Sequence, residues 1–398
     1  MIFRGNTQFQ EQGILNEIQE LAKQSGSLSS KETRFQLLQL SEQLSASLRA
    51  PEDVANEVAY YPMYAFAVRM AVDLNLFELI DTNKPCINAA ELAAASGGSQ
   101  DLITRILRVV SALKFVDEVG ENQWTSNEVT KVMCRPEAYA AHIHKWTNCN
   151  GTMVKMPEYL KKIGYQTPTD PANGPFQYAF DTEKSAFDYW NDKPEIIANF
   201  NTFMKGKRAS RPSWAEWWPV DSLLLQPGDL DSEKVLVVDV GGGRGHDIEG
   251  FRNMFPNRGR LVLEDQPSVI ADIQELHADI ERVGHNFFTP QPIIGARIYF
   301  FGMIFHDWSD DFCLKILEQT VPAMTKGYSK ILIDDAVLPV EGCPAVLGGL
   351  DLAMMAMHSG KERTERQWRD LLQQAGFKIN KFWPYNASGT GIIEAELN

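Results

Sequence analysis

Two stretches of the 398-residue chain hold side chains that can do chemistry. In RIYFFGMIFHDWSDD, residues 297–311, an apolar, strand-like run stops abruptly on His306, Asp307 and Trp308, with more acids behind them. Imidazole is the side chain that exchanges a proton near neutral pH without outside help. In VLVVDVGGGRGHDIEGF, residues 235–251, Gly241, Gly242, Gly243 and Gly245 separate a strand from a helix. Glycines there permit positive φ and let backbone approach a ligand closely. Asp265 closes the next apolar run about 20 residues beyond Gly245, the spacing at which a carboxylate reaches ribose hydroxyls. An adenosine-bearing ligand is the expectation.

The dinucleotide fingerprint requires a third glycine at 246, where His246 stands. The chain also lacks the lysine and Ser/Thr of a phosphate-binding loop. GxGxG after VVDV fits S-adenosylmethionine (SAM), which has no pyrophosphate to cradle. Methyl transfer from a sulfonium is an in-line displacement. The protein must place a nucleophilic oxygen behind the methyl and remove that oxygen's proton. A phenol ionises near pH ~10, so a neutral imidazole within hydrogen-bond reach assists. His306 is the candidate base.

The elements that must position these groups follow from periodicity. KVLVVDV, GRLVLED, RIYFFGM and SKILIDD are short apolar runs spaced by helical segments. They predict an α/β fold with a Rossmann-like, doubly wound sheet covered by helices on both faces. FKINKFWPY and GTGIIEAEL add an antiparallel pair at the end. Ligands bind such sheets beyond the carboxyl ends of the strands, which puts His306 and the glycine loop on one rim. Asp310 and Asp311 suit the first turn of the next helix, and Asp307 and Trp308 are expected to cap and anchor it.

The N-terminal third is different. Leu37, Leu38, Leu40, Leu44 and Leu48 form a helical stripe on an arm expected to pack against a second copy. NAAELAAASG and SQDLITRILRVVSALKF read as two helices, with Gly97 stopping the first and Ser99 capping the second. FVDEVGENQWTSN reads as a hairpin, which completes a winged-helix-like pattern. Arg105 and Arg108 would read DNA in such a unit, but the net charge of −14 opposes nucleic-acid binding and favours a protein-contact scaffold. Residues 133–225 are expected to be a helical connector and substrate lid, rich in aromatics and crossed irregularly by TPTDPANGP. The division is then 1–132, 133–225 and 226–398. Five scattered cysteines argue against a disulfide framework or zinc site and fit a reducing compartment. No secretory signal or membrane span is evident, so a soluble cytoplasmic protein is expected.

Residues from about 235 to 377 resemble the class I SAM-dependent O-methyltransferases of the caffeic-acid type, especially fungal small-molecule members. VDVGGGRGHD, FFTPQP, GARIYFFGMIFHDWSDD and GKERTERQWRDLLQQAGF carry the resemblance, in order. The N-terminal half is similar to that family's dimerisation region. The resemblance implies His306 as general base, flanked by Asp335 and Glu362, with no metal. It implies cofactor contacts from Asp239, Gly241, Gly243, Gly245, Asp265, Gln266, Asn286 and Phe287. It implies an acceptor site at Met354, Met357 and His358, with His144 from the lid. Two methionines at this spacing equally suit plain helix core, and His144 equally suits a solvated helix face.

The chain departs from the family pattern at three positions. Asn286 and Asp335 stand where Asp and Glu are usual, and Gly302 where many relatives have a basic residue near the cofactor. The function implied is O-methylation of a phenolic or enolic secondary metabolite by a homodimer. The alternative is a SAM-bound pericyclase or dehydratase that does not consume SAM. A winged-helix regulator is disfavoured by the charge and the intact HDW.

Overall fold

The computed structural model describes residues 3–23, 30–209, 211–224, 234–385 and 389–398. Helices Phe3–Lys23 and Lys31–Leu48 pack against each other as an N-terminal arm. None of the five stripe leucines is buried, and Leu38 and Leu48 are 56% and 66% exposed.

The next unit is capped as its sequence requires. Asn88 forms a capping box with Glu91 at the start of helix Ala89–Ser96, and Gly97 ends that helix at φ +77°. The Ser99 hydroxyl accepts the Leu102 N–H at the start of helix Gln100–Ala112. A small sheet follows in the order β1-β3-β2, from Ile87–Asn88 (β1), Asp117–Gly120 (β2) and Gln123–Thr125 (β3). The expected helix, turn, helix and hairpin are all present, with β1 as an extra short strand. Leu92, Ile103, Leu107, Val110 and Trp124 fill the core between them. Arg105 and Arg108 point outward.

Short helices then run from Glu128 to Leu223, interrupted at 163–174 where the proline-rich stretch lies. Their tryptophans are anchors. Trp190 and Phe176 are buried with Ala353, Met354 and Met357 of helix Ala345–His358. Trp214 stacks on Phe251 at 5.4 Å and on Phe300 at 4.9 Å, which ties this region to the large sheet.

That sheet comprises Val235–Val240 (β4), Arg260–Asp265 (β5), Ile280–Gly284 (β6), Ile298–Gly302 (β7), Lys330–Leu338 (β8), Phe377–Pro384 (β10) and Thr390–Leu397 (β11). Their order is β10-β11-β8-β7-β4-β5-β6, and the short β9, Arg363–Thr364, pairs with β8 off this path. Strands β6, β5, β4, β7 and β8 are parallel, while β11 and β10 are antiparallel. All five sequence residues of β7 are buried because the strand is covered on both sides. Tyr299 and Phe301 enter one core with Ile316, Leu317 and Trp368. Ile298 and Phe300 enter the other with Trp214 and Ile248. After β4 the chain goes to β5 and β6 on one side and returns to β7 on the other. The β4–β7 junction is therefore the switch point where ligands bind.

Ile333 is fully buried in the middle of β8. Ile333→Ala is expected to cost about 2–5 kcal/mol, through lost transfer energy and an unrelaxed cavity. Urea denaturation at equilibrium would measure it.

Candidate active site

The glycine loop leaves β4 with φ of +69°, +60° and +85° at Gly241, Gly243 and Gly245. The Gly241 and Gly242 N–H groups both donate to the Glu264 carbonyl, which folds the loop over the end of β5. A Cβ at Gly241 would lie 2.7 Å from Ile304, whereas at Gly243 it would meet nothing within 4 Å. Gly243 therefore faces open space. Asp265 accepts the Gly243 N–H at 2.8 Å and the Gln266 N–H at 2.7 Å, so its carboxylate is pinned at the loop's edge. The Gln266 side chain is exposed.

Phe287 stands across from the loop, 3.5 Å from where a Gly241 Cβ would be. Asn286 is exposed, and its Oδ1 accepts the Phe288 N–H at 3.0 Å, which leaves that oxygen one lone pair for a ligand. Asp239 lies beneath the loop, 1% exposed; burial, opposed by the nearby Arg208 charge, raises its pKa to about 7. The loop's own cation, Arg244, is turned onto Asp272 at the surface. A glycine loop open at Gly243, an aromatic wall, a ribose-height carboxylate and a loop cation turned away suit an adenosyl ligand without pyrophosphate.

His306 follows β7 in a short 3₁₀ turn, Phe305–Asp307, and is 5% exposed. Its Nδ1 is 2.8 Å from Glu362 Oε1 and 3.7 Å from Asp335 Oδ1. Glu362 thus fixes the tautomer by accepting Nδ1–H, and Nε2 is left to work. Asp335 was expected to share that role. Its Oδ2 instead accepts the Phe305 N–H at 3.2 Å, so it steadies the turn and acts on the ring through charge.

Burial pushes the His306 pKa down, but Asp307, Asp335 and Glu362 outweigh it and hold the value up at about 9. Burial likewise raises Asp335, to about 7, against the pull of His306. His306, Asp335 and Glu362 also form a cluster whose ligand atoms lie within 4.8 Å of one another, a donor set that a metal ion could use. The Nδ1–Glu362 contact has hydrogen-bond length.

Asp307 corrects the expectation of a cap. Ser309 occupies the N-cap position of helix Asp310–Thr320. The Asp307 Oδ1 instead lies 3.6 Å from Nε2 of His306 and 3.8 Å from Nε2 of His358. Trp308 does anchor, with its ring 4.8 Å from Phe288 and 5.9 Å from Phe312.

Behind the turn are two residues that the motif reading passed over. A Cβ on Gly360 would overlap the His306 carbonyl oxygen and come within 2.6 Å of the Asp307 carbonyl carbon. Arg363 is fully buried; it donates to the Phe305 carbonyl at 2.9 Å, the Trp308 carbonyl at 2.8 Å and Asp310 at 2.8 Å. It therefore grips both ends of the turn that carries His306. Met303, just before the turn, holds φ +59°, with its N–H on the Asp334 carbonyl at 2.9 Å.

His144 is 2% exposed, so the solvated-helix reading fails. It packs against Trp190 at 5.0 Å and Phe200 at 5.3 Å, and burial lowers its pKa to about 3. His358 stacks on Phe187 at 4.9 Å, and burial lowers its pKa too. Met354 and Met357 are buried in the same aromatic cluster. The four acceptor-site candidates thus converge on one apolar region, which Asp307 joins to His306.

This strand order, with a glycine loop and a buried imidazole on one rim, is that of a SAM-dependent methyltransferase. The chain belongs to the O-methyltransferase family. The O-methyltransferase domain matches residues 168–378, and the O-methyltransferase dimerisation domain matches residues 57–135. The chain is 40% identical to O-methyltransferase penC of Penicillium thymicola over 366 residues, 92% of this chain and 91% of that protein. LepI in complex with SAM superposes with a TM-score of 0.85 at 29% identity, over 97% of this chain and 98% of that one. A structure described as a pericyclic reaction enzyme superposes with a TM-score of 0.86 at 29% identity, over 97% and 98%. SAM is the cofactor.

Arg363→Ala would take the guanidinium's bonds from the Phe305 and Trp308 carbonyls and its charge from Asp310, and about 2–4 kcal/mol of stability should be lost. Gly360→Ala should spare donor binding but lower turnover, because the added methyl displaces the His306–Asp307 peptide. Thermal melts, S-adenosylhomocysteine titrations and rate assays on the two variants check this.

Proposed function

We propose that the enzyme methylates a phenolic or enolic oxygen of a secondary metabolite, with His306 as general base. The observation that carries the reading is the buried His306, fixed through Nδ1 by Glu362, on the rim that holds the glycine loop. SAM supplies an activated methyl on a positive sulfur. Asp265 and the open backbone at Gly243 hold the adenosyl end, with Phe287 and Asn286 on the adenine side. His306 Nε2 takes the acceptor's proton. Glu362 and Asp335 stabilise the imidazolium that forms, and Asp307 holds the acceptor side of the ring negative. His144, Met354, Met357 and His358 shape an apolar acceptor site. Exclusion of water there strengthens these charge interactions.

The acidic surroundings set a pH dependence. An imidazole with its pKa near 9 is protonated at neutral pH, so base function grows as the pH rises towards that value. A cationic donor nearby favours the neutral ring and shifts the limb downward. Activity at saturating donor is therefore expected to climb from about pH 6 and level off at or below about 9. His306→Asn should remove this limb and about 10²–10⁴-fold of the rate. Steady-state assays that follow S-adenosylhomocysteine release test both, and a normal rate in the variant would overturn the base assignment.

The same carboxylates favour a second reading, because they make His306 a good cationic hydrogen-bond donor. A SAM-bound pericyclase or dehydratase would use it so, and the likeness to a pericyclic reaction enzyme supports this alternative. Acceptor conversion without S-adenosylhomocysteine would select it.

We further infer a cytoplasmic homodimer, divided functionally at about 132 and 225. All five cysteines are free. Among the described residues no helix is long and apolar enough to cross a membrane. The uncovered Leu38, Leu48, Val58, Tyr61, Met63 and Phe66 offer an apolar face to a second copy. Sedimentation at micromolar concentration is expected to give twice the 44.8 kDa chain mass, and a single monomeric species would refute the dimer.

A further inference from the structure

The rim around the glycine loop is crowded with acids. Asp239 is the penultimate residue of β4, Asp247 lies in the first turn of helix His246–Met254, and Asp334 and Asp335 lie on β8. SAM brings a carboxylate of its own to this rim, on its methionyl end, and a carboxylate needs a cation there. Arg244 of the loop is committed to Asp272. The sheet supplies no substitute at the nearest strand end, because β7 closes on Gly302.

The cation comes from elsewhere. Arg208, in the last turn of helix Pro194–Ala209, reaches across 94 positions of sequence and donates from Nη2 to the Gly302 carbonyl at 3.0 Å. Its Nη1 pairs with Asp247, and the side chains of the two partners are 14% and 13% exposed. Arg211, just beyond the helix, is 3.3 Å from Asp334. The fit depends on the missing side chain. A Cβ on Gly302 would stand 3.1 Å from Arg208 Nη1, 3.1 Å from Asp247 Oδ2 and 3.0 Å from the Phe300 ring. A long side chain at 302 and the guanidinium of Arg208 compete for one space.

A guanidinium has five N–H donors, more than Gly302 and Asp247 engage, and its planar fork matches a carboxylate. The geometry points to Arg208 as a donor-binding residue that holds the methionyl carboxylate of SAM, supplied by the connector helix in place of a strand-end side chain at 302. The assignment rests on the SAM reading above. It makes the docked connector a part of the donor site.

Two ligands separate recognition from mere support. S-adenosylhomocysteine carries the carboxylate; 5′-methylthioadenosine has the same adenosyl thioether without the amino-acid end. Calorimetric titration of the full-length protein should show Arg208→Ala weakening S-adenosylhomocysteine about ten- to a hundredfold, the scale of a charged hydrogen-bonded contact. Binding of 5′-methylthioadenosine should stay within about twofold of the wild type, which also reports an intact pocket. Arg208→Lys should fall between the two for S-adenosylhomocysteine. Arg208→Ala combined with Gly302→Arg should recover part of the loss by returning a cation from the strand end.

Equal loss for both ligands would reduce Arg208 to a structural latch and overturn the proposal, as would unchanged S-adenosylhomocysteine binding. A wild-type protein that bound neither ligand would instead defeat the cofactor reading itself.

Discussion

The site is organised by the confinement of one imidazole among three carboxylates where β7 runs out. Water would normally screen such a concentration of charge. Here His306, Asp335 and Glu362 are each at most 5% exposed, so every charge acts on its neighbours at full strength. A buried carboxylate without a partner is costly, and the ring offsets that cost by carrying a proton. The ring in turn is steered by the acids, Glu362 through a direct bond and Asp335 through the main chain of the turn. Proton affinity and orientation have the same origin.

The sheet topology makes this confinement useful. Because the chain crosses from β6 back to β7 beside β4, the two loops that follow β4 and β7 open onto the same edge. One loop is nearly all backbone, and the other carries side chains that can bind a proton. The connector packs beside them, with Trp214 against Phe300 on the sheet's face and the Trp190 cluster against helix Ala345–His358. The crossing at 167–170 is held in place by Ser309, which donates to the Thr169 carbonyl, and Ser359, which donates to that of Asp170. The aromatic density of the connector is spent on this packing.

What the sequence disclosed followed from local rules. Strand β7 was legible as an unbroken apolar run, the helix end at Gly97 and the helix start at Ser99 as capping residues, and the glycine loop as a run of residues that tolerate positive φ. What it hid was non-local. Strand β6 has only one buried residue, Ile280, because it lies at the sheet's edge and lacks a covering pattern. Arg363 looks like a surface arginine until three distant groups are found around it. Gly360 reads as a simple turn residue, yet its position is dictated by the His306–Asp307 peptide pressed against it. Asp307 read as a helix-capping acid, and only the fold brings His358, 51 positions away, to its other side. His144 could not be placed because its neighbours Trp190 and Phe200 lie some fifty residues on.

Met303 carries a consequence of its own. A β-unbranched side chain in the left-handed region stores about 1–3 kcal/mol, and such a conformation persists only where its surroundings over-determine it. At Met303 that restraint is its bond to the Asp334 carbonyl, at the carboxyl end of the β7–β8 pairing. The peptide leading to His306 is thus a drawn spring, latched where the β7–β8 ladder ends. Any softening of that pairing, by heat, denaturant or a distant cavity, would release the spring and misalign the imidazole before the molecule unfolds. Inactivation should therefore run ahead of melting.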